Sequence, residues 1–226
     1  MSTAKSILLL AALAEEADAF LEGQGRIVER EPLPVRMVET DVAQIRIVTC
    51  GLGKVNAALA VGRYADASTS LVAMTGTCGR IGAIEGDCFW IARAIQHDYG
   101  ARQAGGFVHY RAGDWPMGEA RDHAFSAMRD PGLGLPHATI ASGDVFLECA
   151  DTAEALAQRL DVHLVDMEVA AVAQAAEALG LPWAAIKAVT DGADGESAGD
   201  FNANLKRAAR KAAEAMERLI EEIAAN

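Results

Sequence analysis

Basic residues are scarce in this sequence, and long apolar runs, cysteines and histidines are few. Lys and Arg number 20 against 32 Asp and Glu, a formal net charge of -12. A field of that sign repels phosphate backbones and anionic lipid surfaces, which argues against nucleic acid and membrane as partners. The longest apolar run near the N-terminus, Ile7 to Ala14, is too short to span a bilayer, and Glu15 and Glu16 follow it in place of a cleavage-site pattern. A cytoplasmic protein is expected. The cysteines, Cys50, Cys78, Cys88 and Cys149, are far apart, without a C-x-x-C pair or a histidine at ligand spacing, so buried reduced thiols are the expected state. The histidines fall in no H-E-x-x-H or H-x-x-x-H pattern, and neither a metal nor another cofactor is expected. "DGADGE", Asp191 to Glu196, gathers acids and glycines but fails as a calcium loop, because Ala193, Gly195 and Glu196 stand where two oxygen ligands and the turn glycine belong.

What is plentiful is apolar sequence, 51% of 226 residues, enough for a substantial core in a single domain spanning 1–226. Short apolar runs alternate with helical patterns: "SILLLAALA" then "EEADAFLEG", "IRIVTC" then "KVNAALAVGRYADA", "LVAMTG", "DCFWIARAI", "HATIASGDVF", "VHLVD" then "MEVAAVAQAAEALG", and "WAAIKAVTD" before a long C-terminal helix. Such alternation predicts an α/β fold, a largely parallel or mixed central sheet flanked by helices. The helix after Glu168 has a stop signal in Gly180-Leu181-Pro182. The last helix has an N-cap candidate in Asp200 or Asn202 and an apolar stripe through Leu205, Ala208, Ala212, Met216, Leu219 and Ile223, which should pack on one face of the sheet. Between Gly100 and His137, glycines and prolines predict surface loops and one short helix, with Trp115-Pro116-Met117 as an apolar cluster at a loop tip.

Ligands of open α/β sheets bind beyond the carboxyl ends of the strands, where loops and helix N-termini converge. Here that rule collects Glu15 and Glu16, Gly51-Leu52-Gly53, Thr75-Gly76-Thr77, Ser142-Gly143-Asp144, Asp166-Met167-Glu168 and Thr190-Asp191. Four of these six turns carry an acid, so the ligand is not recognised mainly as an anion. "CGLGKVNAALA" is not a dinucleotide fingerprint: Asn56 occupies the place of the third small residue, and the next strand closes on Met74-Thr75-Gly76 without the ribose-binding acid. Nor is it a Walker loop, since Val55 follows Lys54.

Six motifs, "AALAEEADAF", "CGLGKVNAALA", "MTGTCGRIGAIEGD", "ASGDVFL", "VDMEVAAVA" and "KAVTDGADG", stand in the order and at about the spacing of the nucleoside phosphorylase superfamily. From Ile7 to Arg210 the chain most resembles the hydrolytic branch, the 5'-methylthioadenosine/S-adenosylhomocysteine nucleosidases. That resemblance implies the superfamily's fold and hydrolysis of the N-glycosidic bond of a 5'-modified adenosine (methylthioadenosine, S-adenosylhomocysteine or 5'-deoxyadenosine), releasing adenine. By the same resemblance Glu16 activates the attacking water, with Thr77 beside it. Phe146 stacks on adenine and the backbone of Leu147 reads the base edge. Met167 packs under the ribose, Glu168 grips its hydroxyls and Asp191 bonds the purine at N7. Lys187 stands where arginine is usual, and with Gly53 is expected to support the site, Lys187 by supporting Glu16. Asp166 replaces a usual glutamate. Phe107 and Pro116 resemble the segment that crosses a homodimer interface into the partner's pocket.

The chemistry is coherent without the resemblance. Cleavage passes through an oxocarbenium-like sugar, so the leaving base must be protonated while a nucleophile approaches the opposite face. Asp191 must then hold or share a proton, Glu16 must be ionised to orient water, and Glu168 accepts hydrogen bonds that strengthen as the ring becomes cationic. Asp166 points the other way by strand alternation, as a helix cap. Plainer roles exist for each residue: Glu15 and Glu16 can complement a helix dipole, Asp191 can be a turn acid, and Phe146 and Met167 can be core. Two other functions stay open, a phosphate-dependent purine or adenosyl-lipid nucleoside phosphorylase and a non-catalytic nucleoside-binding protein. Against the first, Ala14-Glu15-Glu16 replaces a G-D-P-x-R-type phosphate loop and Met74 replaces a strand-end arginine.

Overall fold

The computed structural model describes residues 5–119 and 123–225. Its centre is β1 (Lys5–Ala11), which is apolar on both faces: Ile7 and Leu9 face one layer of helices, Leu8 and Leu10 the other. A ten-stranded mixed sheet forms around it from β2 (Arg26–Glu29), β3 (Val35–Glu39), β4 (Ala43–Thr49), β5 (Leu71–Arg80), β6 (Cys88–Gln96), β9 (Phe125–Ser126), β10 (His137–Ser142), β11 (Leu164–Asp166) and β12 (Trp183–Asp191). β1 runs parallel to both β4 and β5, and β12 parallel to β5. The far end of β5 bends over to pair antiparallel with β11 at Gly79 and Arg80. The strands β5, β12, β6, β10 and β11 therefore close on one another, while β4, β3 and β2 continue the sheet beyond β1.

One face carries α2 (Lys54–Tyr64) and α4 (Val169–Ala178), packed through Ala57, Ala60 and Val61 against Leu8, Leu10, Val72 and Met74. α4 is alanine-rich and buried at Val169, Ala170, Ala171, Val172, Ala173 and Ala176. Small side chains let its backbone lie close to the sheet, and its N-terminus follows the end of β11 after two residues. The opposite face carries α1 (Ala14–Ala19), a 3-10 turn over Phe20–Gly23, and α5 (Ser197–Ala225), whose Ala208, Ala212, Met216 and Leu219 pack on Ile7, Leu9, Ala184 and Ile186. α4 stops at Leu179, with Gly180 at φ +68 where a side chain would be strained. No helix among the described residues is long and apolar enough to cross a membrane.

The α/β alternation and the packing of the last helix stand as expected; several local features differ. The glycine-rich segment 100–137 contains no helix among its described residues but a hairpin, β7 (Gly100–Gln103) with β8 (Gly106–His109), and the short β9. Its glycines close a two-residue turn rather than opening a loop. α5 begins at Ser197, and Asp200 lies inside its first turn instead of capping it. α3 (Ala150–Leu160) is an additional helix whose Ala153, Leu156 and Leu160 are buried. β5 runs on through Thr75-Gly76-Thr77 to Arg80, so that triplet lies within a strand rather than after one. Cys50, Cys78 and Cys88 are buried free thiols, but Cys149 is exposed just before α3.

Candidate active site

Glu16 sits in the first turn of α1 and folds back beneath the end of β1, only 2% exposed. Its Oε2 accepts the backbone N–H of Ala12 at 3.0 Å and of Leu13 at 3.1 Å. Its Oε1 accepts the N–H and the hydroxyl of Thr77, both at 2.8 Å. Four donors fix one carboxylate, so its position is set by β1 and β5 together. Room for it comes from Gly76: a Cβ there would lie 2.6 Å from Oε1, and the residue has φ +151. Gly76→Ala is therefore expected to destabilise the fold by about 1–3 kcal/mol, by overpacking and backbone strain, checked by denaturant unfolding.

At the end of β11 the chain turns through Met167 into α4, with Glu168 at the N-cap. Asp166 Oδ2 accepts the N–H of Val169 at 3.1 Å, the capping role expected of it. Its other oxygen accepts the hydroxyl of Ser142, which in turn accepts the N–H of Ala170 at 2.9 Å. Lys187, 1% exposed, donates to Asp166 at 3.0 Å and stands 4.0 Å from Glu168. The expectation that Lys187 supports Glu16 directly is thus corrected: its ion pair is with Asp166. The reason is geometric: the Lys187 ammonium lies within hydrogen-bond distance of Asp166, whereas Glu16 is held at the end of β1 by Ala12, Leu13 and Thr77. Glu168 Oε1 accepts the N–H of Gly53 at 2.9 Å.

Burial pushes the Glu168 carboxyl up to about 7, with Asp166 and Glu16 adding to the rise and Lys187 and the Gly53 amide opposing it. For Lys187, burial alone would push the ammonium down, but Asp166, Glu168 and Glu16 together hold it above its ordinary range.

Asp191 closes β12, 7% exposed, where its Oδ1 accepts the N–H of Ala193 at 3.0 Å and its Oδ2 the hydroxyl of Thr190 at 2.8 Å. Opposite it in register on β5 is Gly79, where a Cβ would lie 3.0 Å from Oδ1. Two glycines in "TGTCGR" thus leave space for two acids from different parts of the chain. A cavity opens between them, lined by Glu16, Thr77, Phe146, Leu147, Met167, Glu168 and Asp191 among others. Seven expected residues therefore share one cavity. Lys187 and Gly53 stand behind its wall, and Phe107 and Pro116, on β8 and the loop after it, do not line it. Residues not anticipated also line it: Gly79, Val145, Val165 and Phe201. Asp166 lines it as well, which corrects the expectation that it points the other way: the chain turns at the end of β11, and the Lys187 ammonium draws its carboxylate to the side of Glu168. Phe201, near the start of α5, meets Phe146 edge to face at 6.1 Å between centroids. An aromatic residue near a helix start gives no sequence signal of that contact.

Residues 6–223 match the model of the phosphorylase superfamily. The 5'-methylthioadenosine/S-adenosylhomocysteine nucleosidase of Treponema pallidum is 29% identical, with 96% of this chain and 93% of that one covered. The structure of the nucleosidase of that name from Helicobacter pylori, with butyl-thio-DADMe-Immucillin-A, has a TM-score of 0.84 at 20% identity and covers 98% of this chain and 100% of that one. A futalosine hydrolase mutant of the same species is as similar in fold, with a TM-score of 0.83, 22% identity and 96% and 99% of the two chains covered. At those identities the structures establish likeness of fold, while the family match extends over nearly the whole chain: the protein belongs to the phosphorylase superfamily.

Proposed function

We propose that this protein hydrolyses the N-glycosidic bond of a 5'-substituted adenosine and releases adenine. The observation that carries the reading is the convergence of Glu16, Glu168 and Asp191, from three distant parts of the chain, on one cavity. Glu16 and Thr77 hold the attacking water, and Met167 lies under the sugar. Glu168 accepts the ribose hydroxyls and holds them more tightly as positive charge develops on the ring. Phe146 stacks on the base, the Leu147 backbone reads its edge, and Asp191 donates to N7 as the base leaves. The name of the Treponema pallidum relative supports the same substrate class. Fold likeness to a futalosine hydrolase leaves the 5' group to be found by assay.

Water is favoured over phosphate by charge. The cavity lining carries the acids Glu16, Asp166, Glu168 and Asp191 and no Lys or Arg among its described residues, and Lys187 is already paired. A phosphate dianion entering there meets repulsion without a cationic partner. Adenine release from methylthioadenosine, S-adenosylhomocysteine and 5'-deoxyadenosine is expected to proceed at the same rate with and without phosphate. Strict phosphate dependence identifies a phosphorylase, and adenosine binding without turnover identifies a binding protein.

The pH profile follows from Glu168. Its folded carboxyl titrates near 7, above the ordinary glutamate value, so it is protonated below that pH and ionised above it. Ribose hydroxyls bind the ionised form, so kcat/KM should fall as pH drops below about 7, and Glu168→Gln should flatten that limb. The sign for stability is opposite: between the unfolded glutamate value and about 7 the folded state binds the extra proton, so this group's contribution declines as pH rises through that window.

The working unit in this reading is a homodimer in the cytoplasm. Free thiols at Cys50, Cys78 and Cys88 support the location. Leu52, Val55 and Leu59 form an exposed apolar stripe at and along α2, and Trp115 and Met117 are exposed as well, which supports a partner surface there. Phe107 and Pro116 would then complete the partner's pocket. A monomer at micromolar concentration in sedimentation removes the dimer.

A further inference from the structure

The loop between β10 and α3 carries Phe146 and Leu147; Val145 and Phe146 are exposed, with Phe201 against the Phe146 ring and Leu147 packed on buried apolar residues. The loop is also held outside the cavity, by a ring of polar contacts that the proposed chemistry does not use. Asp144 Oδ1 accepts the backbone N–H of Lys54 at 2.8 Å, at the N-terminus of α2. The N–H of Asp144 donates to Asp98 Oδ2 at 3.0 Å. The other oxygen of Asp98 accepts the Lys54 ammonium at 2.6 Å, and that ammonium also donates to Gln96 Oε1 at 3.2 Å and lies 3.9 Å from Asp144 Oδ2. Three loops, after β4, β6 and β10, are thereby tied in a closed circuit. The neighbouring backbone is locked as well: Gly143 donates to the Asp166 carbonyl at 3.1 Å, and a Cβ at Gly143 would lie 2.2 Å from His97 Nε2.

Two features connect this ring to the site. The residue before Lys54 is Gly53, whose N–H holds Glu168, so the chain segment fixed by Asp144 also sets the donor to the sugar acid. The residues after Asp144 are Val145, Phe146 and Leu147, all of which line the cavity. We propose that Lys54, Asp98 and Asp144 form a clasp of positioning residues that holds the Phe146 loop over the nucleoside and the Gly53 amide against Glu168. The clasp touches no reacting atom, so it acts on substrate and product affinity more than on the chemical step. Burial would push the Asp98 carboxyl up, but the Lys54 ammonium and the Asp144 amide hold it below the usual range, in line with a charged pair at the centre of the ring.

The role of the clasp in binding rests on the nucleosidase reading, and the test separates the two. Amide hydrogen exchange by mass spectrometry is read on the 143–149 peptide of the full chain, alongside steady-state adenine release, for wild type, Lys54→Met, Asp98→Asn and the double variant. Exchange in 143–149 is expected to quicken at least about tenfold in each single variant. KM for methylthioadenosine should rise about tenfold with kcat within about threefold. The double variant should be no worse than the singles, because either substitution opens the same ring. Lys54→Arg, which keeps the cation, should restore most of the protection and serves if Lys54→Met does not fold. Unchanged exchange in both single variants overturns the clasp whatever the activity, and so does quickened exchange with an unchanged KM. A wild type with a protected loop but no adenine release removes the hydrolase reading, while the exchange comparison still decides whether the clasp holds the loop.

Discussion

Asp191→Asn should lower the rate of adenine release by about a thousandfold or more and leave stability within about 1 kcal/mol of wild type. Catalysis is lost because an amide cannot deliver the proton that lets the base leave. Stability is kept because the hydrogen bonds around this side chain can be remade. An Asn oxygen still accepts the N–H of Ala193, and the Thr190 hydroxyl, which faces the second oxygen at 2.8 Å, can rotate to accept from the new amide group. Adenine release read by ultraviolet absorbance, beside a denaturant titration, checks both halves. A variant with more than about a tenth of wild-type activity contradicts the role given to Asp191.

Glu16→Gln should lose a comparable factor in rate, about a thousandfold, and in addition unfold more readily by about 2–4 kcal/mol. The difference lies in the donors. All four partners of Glu16 donate, and three of them are backbone N–H groups that cannot become acceptors. A glutamine must turn its NH2 toward either Ala12 and Leu13 or Thr77, leaving at least one buried donor facing another donor. Each orphaned group costs about 1–3 kcal/mol. Two substitutions of the same chemical kind thus divide by stability although both remove activity. Equal denaturation midpoints for Glu16→Gln and wild type contradict the four-donor geometry.

These differences show which parts of the protein are legible in its sequence. The alternation of buried strands and amphipathic helices is, because a strand covered on both faces must be apolar along its length, as Ile7 to Ala11 are. The strand ends are legible too: the rule that sites gather there collects Glu16, Glu168 and Asp191, together with Glu15, Asp144 and Asp166, without any contact information. Pairing across the fold is not. Lys187 and Asp166 lie on β12 and β11, which do not pair with each other in the sheet, so nothing near either residue in sequence marks their ion pair. The meaning of Gly76 and Gly79 was hidden for a similar reason. Each makes room for a carboxylate from another element, so nothing nearby in sequence marks them. α3 has an available signal, apolar residues at Ala153, Leu156 and Leu160, weakened by the polar residues between them. The hairpin of β7 and β8 is short and half-exposed, so its alternation is weak against its glycines.

The central claim is that a nucleoside sits with its sugar on Glu168, its base between Phe146 and Asp191, and Glu16 at the face opposite the base. A crystal structure with an uncleavable 5'-methylthio nucleoside analogue measures this most directly. The account predicts the ribose hydroxyls within hydrogen-bond distance of Glu168, the Asp191 carboxyl within such distance of the base, and a water between Glu16, Thr77 and the anomeric carbon. An analogue bound outside this cavity, or one whose sugar lies against Asp191 and whose base lies against Glu168, contradicts it.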